Sequence, residues 1–293
     1  MSATFTMPKR KLTWLITGCS SGFGLSLARL VQAGGHDLIA TSRNPSRTPE
    51  LVVEVEGKGG KWIQLDVDSR DSPKAIDDLE KSGVEIDVLV NNAGFAIYGP
   101  VESSTEDEVR AHMETMYFGP LRLIKAVVPY MRKRRFGVIT NFSSGASLAG
   151  RETMGPYAGA KGALDAVTKV LAREISPFNI RTLTVALGGF NTNMPNAGVL
   201  GKNPRPDDYK ESMVETMIEY IVNGNFPILG DKDKAMKAVY ELVVAEGFGA
   251  GREAERFLPL GTDMTVRVKE VADYLLHSLE VFGDVTNNVS IDK

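Results

Sequence analysis

The chain has 293 residues, of which 43% are hydrophobic and 24% charged, and this apolar content excludes a disordered or collagen-like protein. Its 34 Lys and Arg residues against 37 Asp and Glu residues give a formal charge of -3, which predicts no nucleic-acid partner. The single cysteine, Cys19, cannot form an intrachain disulfide and favours a reducing compartment. The first apolar run is too short for a signal peptide core or a membrane span, so we expect a cytoplasmic protein with no membrane span.

Short apolar runs alternate with longer amphipathic stretches through the first two thirds of the chain. The runs predicted as strands are Leu12–Ile16, Asp37–Ala40, Trp62–Leu65, Val88–Val90, Val138–Phe142 and Ile180–Ala186. The stretches predicted as helices are Leu25–Gln32, Glu50–Glu56, Ala75–Lys81, Glu106–Met113, Leu121–Arg132 and Tyr157–Glu174. This alternation indicates right-handed crossovers between parallel strands, so the predicted fold class is α/β with a doubly wound parallel sheet.

The pattern changes after Phe190. A loop rich in Gly, Asn and Pro leads into apolar residues at helical spacing, namely Tyr209, Met213, Val214, Met217, Ile218, Ile221 and Val222. Because a doubly wound sheet binds its ligand beyond the strand ends, residues 191–230 are predicted to form a substrate-covering insertion within a single domain of residues 1–293. An extra core helix is the alternative that this pattern leaves open. Further helices are predicted at Lys232–Val244 and Val266–Glu280, with a final strand at Arg256–Leu260.

A glycine-rich turn, Thr17-Gly18-Cys19-Ser20-Ser21-Gly22-Phe23-Gly24, follows the first predicted strand and opens the first helix. Its glycines allow a tight turn and let a pyrophosphate approach the helix N-terminus, whose free N–H groups and dipole favour an anion. The turn therefore predicts a dinucleotide site. Its spacing, Gly-x3-Gly-x-Gly, differs from the more frequent Gly-x-Gly-x2-Gly, so a plain turn stays open as an alternative.

The end of the second predicted strand reads Thr41-Ser42-Arg43-Asn44 and contains no acidic residue. An NAD-selective site places an Asp or Glu there to bind the ribose hydroxyls. Arg43 is instead suited to pair with a 2′-phosphate, and Ser42 to hydrogen-bond it. The sequence thus favours NADP(H) over NAD(H), and a solvated surface arginine is the alternative.

Tyr157 and Lys161 lie four positions apart at the start of a predicted helix, which places them on one face. An ammonium beside a phenol stabilises the phenolate and lowers its pKa from about 10 toward neutrality, as proton transfer requires. Such a pair also occurs by chance on ordinary amphipathic helices. Ser143-Ser144 ends a strand-like segment at the sheet edge, where the Ser144 hydroxyl could hold a substrate carbonyl.

Together with Asn91-Asn92-Ala93-Gly94, these motifs resemble the short-chain dehydrogenase/reductase family over residues 11–192. The resemblance implies a Rossmann-type fold and three catalytic residues: Ser144, Tyr157 as proton donor or acceptor, and Lys161, which also holds the nicotinamide ribose. It places Asp66-Val67 by the adenine, Asn91 under the adenosine ribose and Thr192 at the carboxamide. The full set of predicted cofactor-binding residues is Gly18, Ser20, Ser21, Gly22, Phe23, Gly24, Ser42, Arg43, Asp66, Val67, Asn91, Ala93, Gly94, Tyr157, Lys161, Phe190 and Thr192.

Thr-Gly-Cys-Ser-Ser-Gly is most similar to the steroid- and retinol-dehydrogenase branch of the family, which points to apolar substrates. Family members often associate through the helices corresponding to Leu121–Arg132 and Tyr157–Glu174, so the resemblance also implies a homodimer or homotetramer. His36, His112 and His277 are scattered without a carboxylate grouping, and we expect no metal site.

Two positions depart from the family pattern. Met116 stands where the family has an Asn that bends its helix and holds a water linking the lysine to solvent, and a thioether cannot do this. Leu187 replaces the proline of a Pro-Gly turn, which is expected to reshape the pocket floor beside the nicotinamide. The resupply of protons to Tyr157 is therefore in question.

The main hypothesis is an NADPH-dependent ketone or aldehyde reductase, or alcohol dehydrogenase, acting on a mostly apolar, medium-sized small molecule. Ser144 would orient the carbonyl, Tyr157 would transfer the proton, and Lys161 would stabilise the phenolate. Met116 and Leu187 motivate a second hypothesis, a cyclase, isomerase or dehydratase in which NADP(H) is only structural. A binding module that senses the NADPH/NADP ratio for a protein partner is third, because no partner motif occurs in the sequence.

Overall fold

The computed structural model describes residues 5–192, 199–225, 228 and 230–291. The strands are β1 (Thr13–Ile16), β2 (Asp37–Ser42), β3 (Lys61–Gln64), β4 (Val88–Asn91), β5 (Ile97–Tyr98), β6 (Gly137–Ser144), β7 (Ile180–Leu187), β8 (Val199–Leu200) and β9 (Phe257–Leu260). The α-helices are α1 (Gly22–Ala33), α2 (Pro49–Gly57), α3 (Ser72–Lys81), α4 (Glu106–Met113), α5 (Gly119–Arg134), α6 (Gly145–Ala149), α7 (Gly155–Ile175), α8 (Met213–Val222), α9 (Lys232–Val244) and α10 (Thr262–Asn287).

Seven strands form one parallel sheet in the order β3-β2-β1-β4-β6-β7-β9. Successive side chains of a strand point to opposite faces, and β1 follows this rule. Trp14 and Ile16 pack into the core on one face, whereas Leu15 packs into the core on the other. Helices cover both faces, and the strand order reverses between β1 and β4, where such folds bind their ligands. The doubly wound, single-domain Rossmann-type fold expected from the sequence is confirmed.

The longer predicted elements agree with the structure to within a few residues at each end. The final predicted helix is the largest difference, because α10 extends past Glu280 and spans Thr262–Asn287. Its distal half exposes large apolar side chains, including Leu275, Leu279 and Phe282. Within the described residues, no helix combines the length and the apolar character needed to cross a membrane.

A second, two-stranded sheet pairs β5 with β8 and joins the predicted covering insertion to the main domain. The amide of Lys202 also donates to the buried carboxylate of Glu108, at 2.7 Å. In α8, Ile221 packs into a small apolar cluster with Tyr98 and Tyr157. These contacts hold the described part of residues 191–230 against β5, α4 and the start of α7.

Candidate active site

A groove of about 1540 Å³ runs along the carboxyl ends of β1 to β4. Gly18 and Gly22 have φ angles of 71° and 57°, which glycine adopts without the steric cost of a side chain. A Cβ on Gly24 would lie 2.4 Å from the carbonyl oxygen of Gly18, so this position excludes any larger residue. The backbone of the turn therefore lies open to a ligand at the N-terminus of α1, the geometry that suits a pyrophosphate.

Asn92 holds the glycine-rich turn in place, a role that the sequence motif did not predict. Its Nδ2 donates to the carbonyl oxygens of Thr17, at 2.7 Å, and Gly18, at 3.1 Å. The hydroxyl of Thr17 in turn accepts from the amides of Asn92 and Ala93. These bonds tie the end of β1 to the end of β4. They also give hydrogen-bond partners to backbone groups at this junction.

Ser42 and Arg43 lie at the groove where β2 ends. Ser42 Oγ accepts a 3.0 Å hydrogen bond from Trp62 Nε1, which fixes the position of this hydroxyl beside the groove. The Arg43 side chain is exposed, and Gln64 Nε2 donates to its carbonyl oxygen at 3.1 Å. A guanidinium on an open groove wall, with a hydroxyl next to it, fits a phosphate monoester.

Most predicted cofactor residues line this groove: Gly18, Ser20, Ser21, Gly22, Phe23, Ser42, Arg43, Asp66, Val67, Ala93, Gly94 and Thr192. Gly24 instead packs against Gly18, and Tyr157, Lys161 and Phe190 line an adjoining cavity. Asn91 is buried, and its Nδ2 donates to Asn141 Oδ1 at 2.8 Å.

The bond between Asn91 and Asn141 starts a buried polar chain. Asn141 Nδ2 donates to Thr168 Oγ1, again at 2.8 Å, and Thr168 Oγ1 donates to the carbonyl oxygen of Leu164. The chain links β4 and β6 to α7, the helix that carries Tyr157 and Lys161. Buried hydrogen-bonded chains of this kind favour one arrangement of the elements that they join, although Asn91 Oδ1 has no partner among the described residues.

The adjoining cavity has a volume of about 870 Å³ and opens at the carboxyl ends of β6 and β7. Its walls are largely apolar and include Tyr98, Phe142, Met154 and Leu187. Four residues line both the groove and the cavity: Phe23, Asn92, Gly94 and Thr192. The two spaces are thus neighbours, as required if a cofactor in one is to react with a substrate in the other.

Ser144, Tyr157 and Lys161 all line this cavity. Ser144 ends β6 and caps α6, where its Oγ accepts from the amide of Ala146 at 3.1 Å. The Ser144 side chain is close enough to the Tyr157 hydroxyl to oppose the rise of its pKa. The structure therefore brings together the three side chains that the sequence predicts to be catalytic.

Burial shifts the pKa values of both Tyr157 and Lys161. Burial raises the pKa of the Tyr157 hydroxyl to about 12, and the neighbouring Ser144 opposes this rise without cancelling it. Burial lowers the pKa of Lys161 to about 8, although Asp165 acts against that change. Lys161 Nζ donates to the carbonyl oxygen of Phe142, 2.6 Å away, and lies 5.9 Å from the centre of the Tyr157 ring.

Asp165 lies one turn beyond Lys161 on α7 and was not singled out in the sequence. Its Oδ2 accepts hydrogen bonds of 2.8 Å from both Ser143 Oγ and Ser147 Oγ. Burial raises the pKa of this carboxyl, and the two serines and Lys161 oppose the change. An acidic side chain thus lies behind Lys161, on the side of α7 that faces β6 and α6.

Met116 is fully buried in the same apolar cluster as Tyr157. It lies within a π-helical turn, Glu114–Phe118, that connects α4 to α5. The chain therefore forms an irregular helix at this point with a methionine in place of the family's asparagine. Leu187, the other departure, continues β7 in register with Ser144 and Leu260, where a proline could not donate a backbone hydrogen bond.

Three charged residues at the cavity were missed in the sequence: Arg151, Asp263 and Arg267. Two come from the first turns of α10, which approaches the sheet closely. A Cβ on Gly188 would lie 1.9 Å from Asp263 Oδ1, and one on Gly145 would lie 2.9 Å from Arg267 Cδ. Only long-range packing brings them to Ser144, so no local motif could have indicated them.

Among the described residues, no group of three or more His, Cys, Asp or Glu side chains is arranged to hold a metal ion. His112 is buried beside β5, with its ring nitrogens bonded to backbone groups of Glu108 and Ile97. Cys19 is buried as well, and its Sγ donates to the carbonyl oxygen of Ile16. These residues serve the packing of the domain.

Comparison with known proteins agrees with this geometry. Residues 13–203 match the family model described as short chain dehydrogenase. The oxidoreductase claN of Passalora fulva is 36% identical over 211 residues, which cover 72% of this chain and 94% of that protein. A short-chain dehydrogenase structure from Streptomyces avermitilis superimposes with a TM-score of 0.84 at 30% identity, covering 97% of this chain and all of that one.

A gluconate 5-dehydrogenase from Burkholderia cenocepacia, solved with NADP and tartrate, superimposes with a TM-score of 0.69 at 25% identity, covering 87% of this chain and 95% of that one. These relatives indicate the same family as the fold, the glycine-rich turn and the grouping of Ser144, Tyr157 and Lys161. The chain belongs to the short-chain dehydrogenase family of oxidoreductases.

Proposed function

We propose that the protein is an NADPH-dependent oxidoreductase that interconverts a carbonyl and an alcohol on a largely apolar small molecule. The observation that carries this proposal is the grouping of Ser144, Tyr157 and Lys161 in a largely apolar cavity that shares a wall with the groove. When bound, NADPH would supply the hydride for the reduction.

The residues of the chain account for the remaining requirements. Ser144 and Tyr157 would hold the carbonyl oxygen between their hydroxyls, and Tyr157 would donate its proton as negative charge develops there. Its pKa of about 12 keeps the phenol protonated, and therefore able to donate, at neutral pH. Lys161 would stabilise the resulting phenolate by its charge, and the cofactor ribose would be its second partner.

The preference for NADP(H) rests on Arg43 and on the absence of an acidic side chain at residues 41–44. Gly18, Ser20, Ser21, Gly22 and Phe23 would hold the pyrophosphate and Asp66 and Val67 the adenine end of the groove. The relative from Burkholderia cenocepacia, solved with NADP, supports the same choice. The covering role of residues 191–230, the cytoplasmic location and a homodimer or homotetramer stay predictions.

The test is NADPH consumption against a panel of aldehydes, quinones and polycyclic ketones, with Tyr157→Phe compared to the wild type. Loss of the hydroxyl should slow turnover by about 100- to 10,000-fold, the range for general acid–base catalysis. Tyr274→Phe, on the exposed part of α10, is the matched control. A Tyr157→Phe protein that reduces its substrate at the wild-type rate would refute the assignment.

The non-redox alternative is supported by Met116, because its thioether removes the polar side chain that the family uses to resupply protons. Deuterated NADPH separates the two cases. Deuterium in the product carbon identifies hydride transfer, whereas unlabelled product formed with intact NADPH identifies a cyclase, isomerase or dehydratase.

A further inference from the structure

The cavity carries more positive than negative charge. The ionisable residues on its described walls, apart from the tyrosines, are Lys161, Arg151 and Arg267, which are cationic, and Asp263, which is anionic. The segments of the insertion outside the described residues, 193–198, 226–227 and 229, contain no charged residue in the sequence. One carboxylate therefore faces two guanidinium groups and a catalytic lysine.

Arg151 and Arg267 lie close enough to influence each other. Burial lowers the pKa of Arg151, and the charge of Arg267 lowers it further, while Asp263, Tyr98 and Glu152 oppose both effects. Asp263 Oδ2 accepts from Arg267 Nε at 3.0 Å, so Arg267 holds this carboxylate. Arg151 Nη2 points to the sulfur of Met217 in α8 at 3.8 Å. Two guanidinium groups close together in a partly buried site repel each other, and an anion bound beside them would relieve this repulsion.

Two glycines let Arg267 approach Ser144 closely. Gly145, next to Ser144, and Gly188, next to Leu187, allow the first turns of α10 to lie against the ends of β6 and β7. Arg151 follows α6, the short helix capped by Ser144. The guanidinium groups thus line the same cavity as Tyr157, alongside its apolar walls.

We infer that the substrate carries an anionic group, a carboxylate or a phosphate or sulfate ester, that binds between Arg151 and Arg267. The inference rests on the proposed function and narrows its substrate class. The reacting carbonyl lies against Ser144 and Tyr157, and the apolar body of the substrate contacts Tyr98, Met154 and Leu187. The anionic group pairs with the two guanidinium groups. Planar guanidinium forks suit such oxyanions because they donate two parallel hydrogen bonds.

The experiment compares an acid with its neutral ester, 4-acetylbenzoate with methyl 4-acetylbenzoate, and a longer pair, 4-benzoylbutyrate with its methyl ester. For the wild type we expect kcat/KM for the acid of at least one pair to exceed that for its ester by about 10- to 100-fold. Arg151→Gln and Arg267→Gln should each reduce this ratio toward one, mainly through KM. Arg252→Gln, outside the cavity, is the matched control.

Asp263→Asn should change the acid-to-ester ratio in the opposite direction. It removes the carboxylate that competes for Arg267 and should raise the acid-to-ester ratio above that of the wild type. A destabilised protein would lose activity on both members of a pair, so the ratio separates the anion site from misfolding. Equal use of acid and ester by the wild type, or a ratio that none of the three cavity variants changes, would overturn the inference.

Binding to the Tyr157→Phe protein separates this inference from the proposed function. Calorimetric titration of 4-acetylbenzoate and its ester into this variant, with NADP present, reports the anion site without turnover. Acid-selective binding that Arg151→Gln abolishes supports the arginine pair even if no panel compound is reduced. Binding of acid and ester with equal affinity refutes it even if the enzyme proves to be a reductase.

Discussion

Lys161 Nζ donates a 2.6 Å hydrogen bond to the carbonyl oxygen of Phe142, in the strand that ends with Ser144. This bond turns the ammonium toward the sheet, and the carboxylate of Asp165 lies on the same side of α7. Two opposing influences therefore set the protonation of Lys161. Burial favours its neutral form, and the charge of Asp165 favours its ammonium form.

Replacing Asp165 with Asn should lower the pKa of Lys161 below its value of about 8, because a charge that stabilises the ammonium is removed. If reduction requires charged Lys161, the alkaline limb of the kcat/KM profile will move to lower pH. Profiles between pH 6 and 10 check this, with Glu174→Gln at the exposed end of α7 as control. An alkaline limb that stays in place in Asp165→Asn would show that the carboxylate has only a structural role.

Replacing Arg43 should change cofactor preference without affecting the fold. Its side chain is exposed at the groove, so Arg43→Ala is expected to weaken NADPH binding by about 10- to 100-fold while NADH binding changes little. Titration of both cofactors by the quenching of tryptophan fluorescence measures the two affinities. Arg47→Ala, an exposed neighbour on the same loop, is the control. Equal weakening of both cofactors would rule out a 2′-phosphate contact.

Gly24→Ala should destabilise the glycine-rich turn. Its added methyl group would meet the carbonyl oxygen of Gly18 at 2.4 Å and Nδ2 of Asn92 at 2.6 Å. Overpacking of this kind costs about 1–3 kcal/mol, and cofactor affinity should fall as well. Gly162→Ala, in α7 with open space at the same position, should instead raise the free energy of unfolding by about 0.5–1 kcal/mol. Urea denaturation of both variants decides, and a Gly24→Ala protein as stable as the wild type would contradict the close packing.

His112 should make stability depend on pH just below neutrality. Its Nδ1 donates to the carbonyl oxygen of Glu108 and its Nε2 accepts from the amide of Ile97, so both nitrogens are used in the neutral ring. Burial lowers its pKa, and the unfolded chain therefore binds the proton first as pH falls through 6.5. The free energy of unfolding should then decrease with falling pH, by at most about 1.4 kcal/mol per pH unit for this residue.

The check for His112 is urea denaturation at several pH values from 5.5 to 7.5. His112→Gln should flatten the slope, although His36, whose pKa burial also lowers, will leave part of it. His277→Gln, on the exposed face of α10, should leave the slope unchanged. A His112→Gln protein with the wild-type slope would assign the dependence to other groups.

The local sequence pattern was sufficient to predict those features that depend on residues close together in the chain. The helix expected at Lys232–Val244 has those bounds in the structure, and the alternation of strands and helices predicted the sheet through the handedness of its crossovers. The spacing of Tyr157 and Lys161 likewise predicted one helix face, and both side chains line one cavity.

Properties that depend on distant contacts were not accessible in this way. Helical spacing indicates a shared face, but not that Lys161 bonds to the carbonyl oxygen of Phe142 or that burial raises the pKa of Tyr157. Arg267 reaches the site only because Gly145 leaves room for it. The strands β5 and β8 are two residues each, too short for any periodicity to indicate them.

Phe23, Asn92, Gly94 and Thr192 line both spaces of the site, and this shared wall has a consequence for the order of binding. A cofactor that fills the groove becomes one side of the substrate cavity, so that cavity is complete only in the binary complex. Each ligand should then raise the affinity for the other by the same factor, since coupling between two sites is reciprocal. The protein would thus recognise its substrate partly through a surface that its own sequence does not encode.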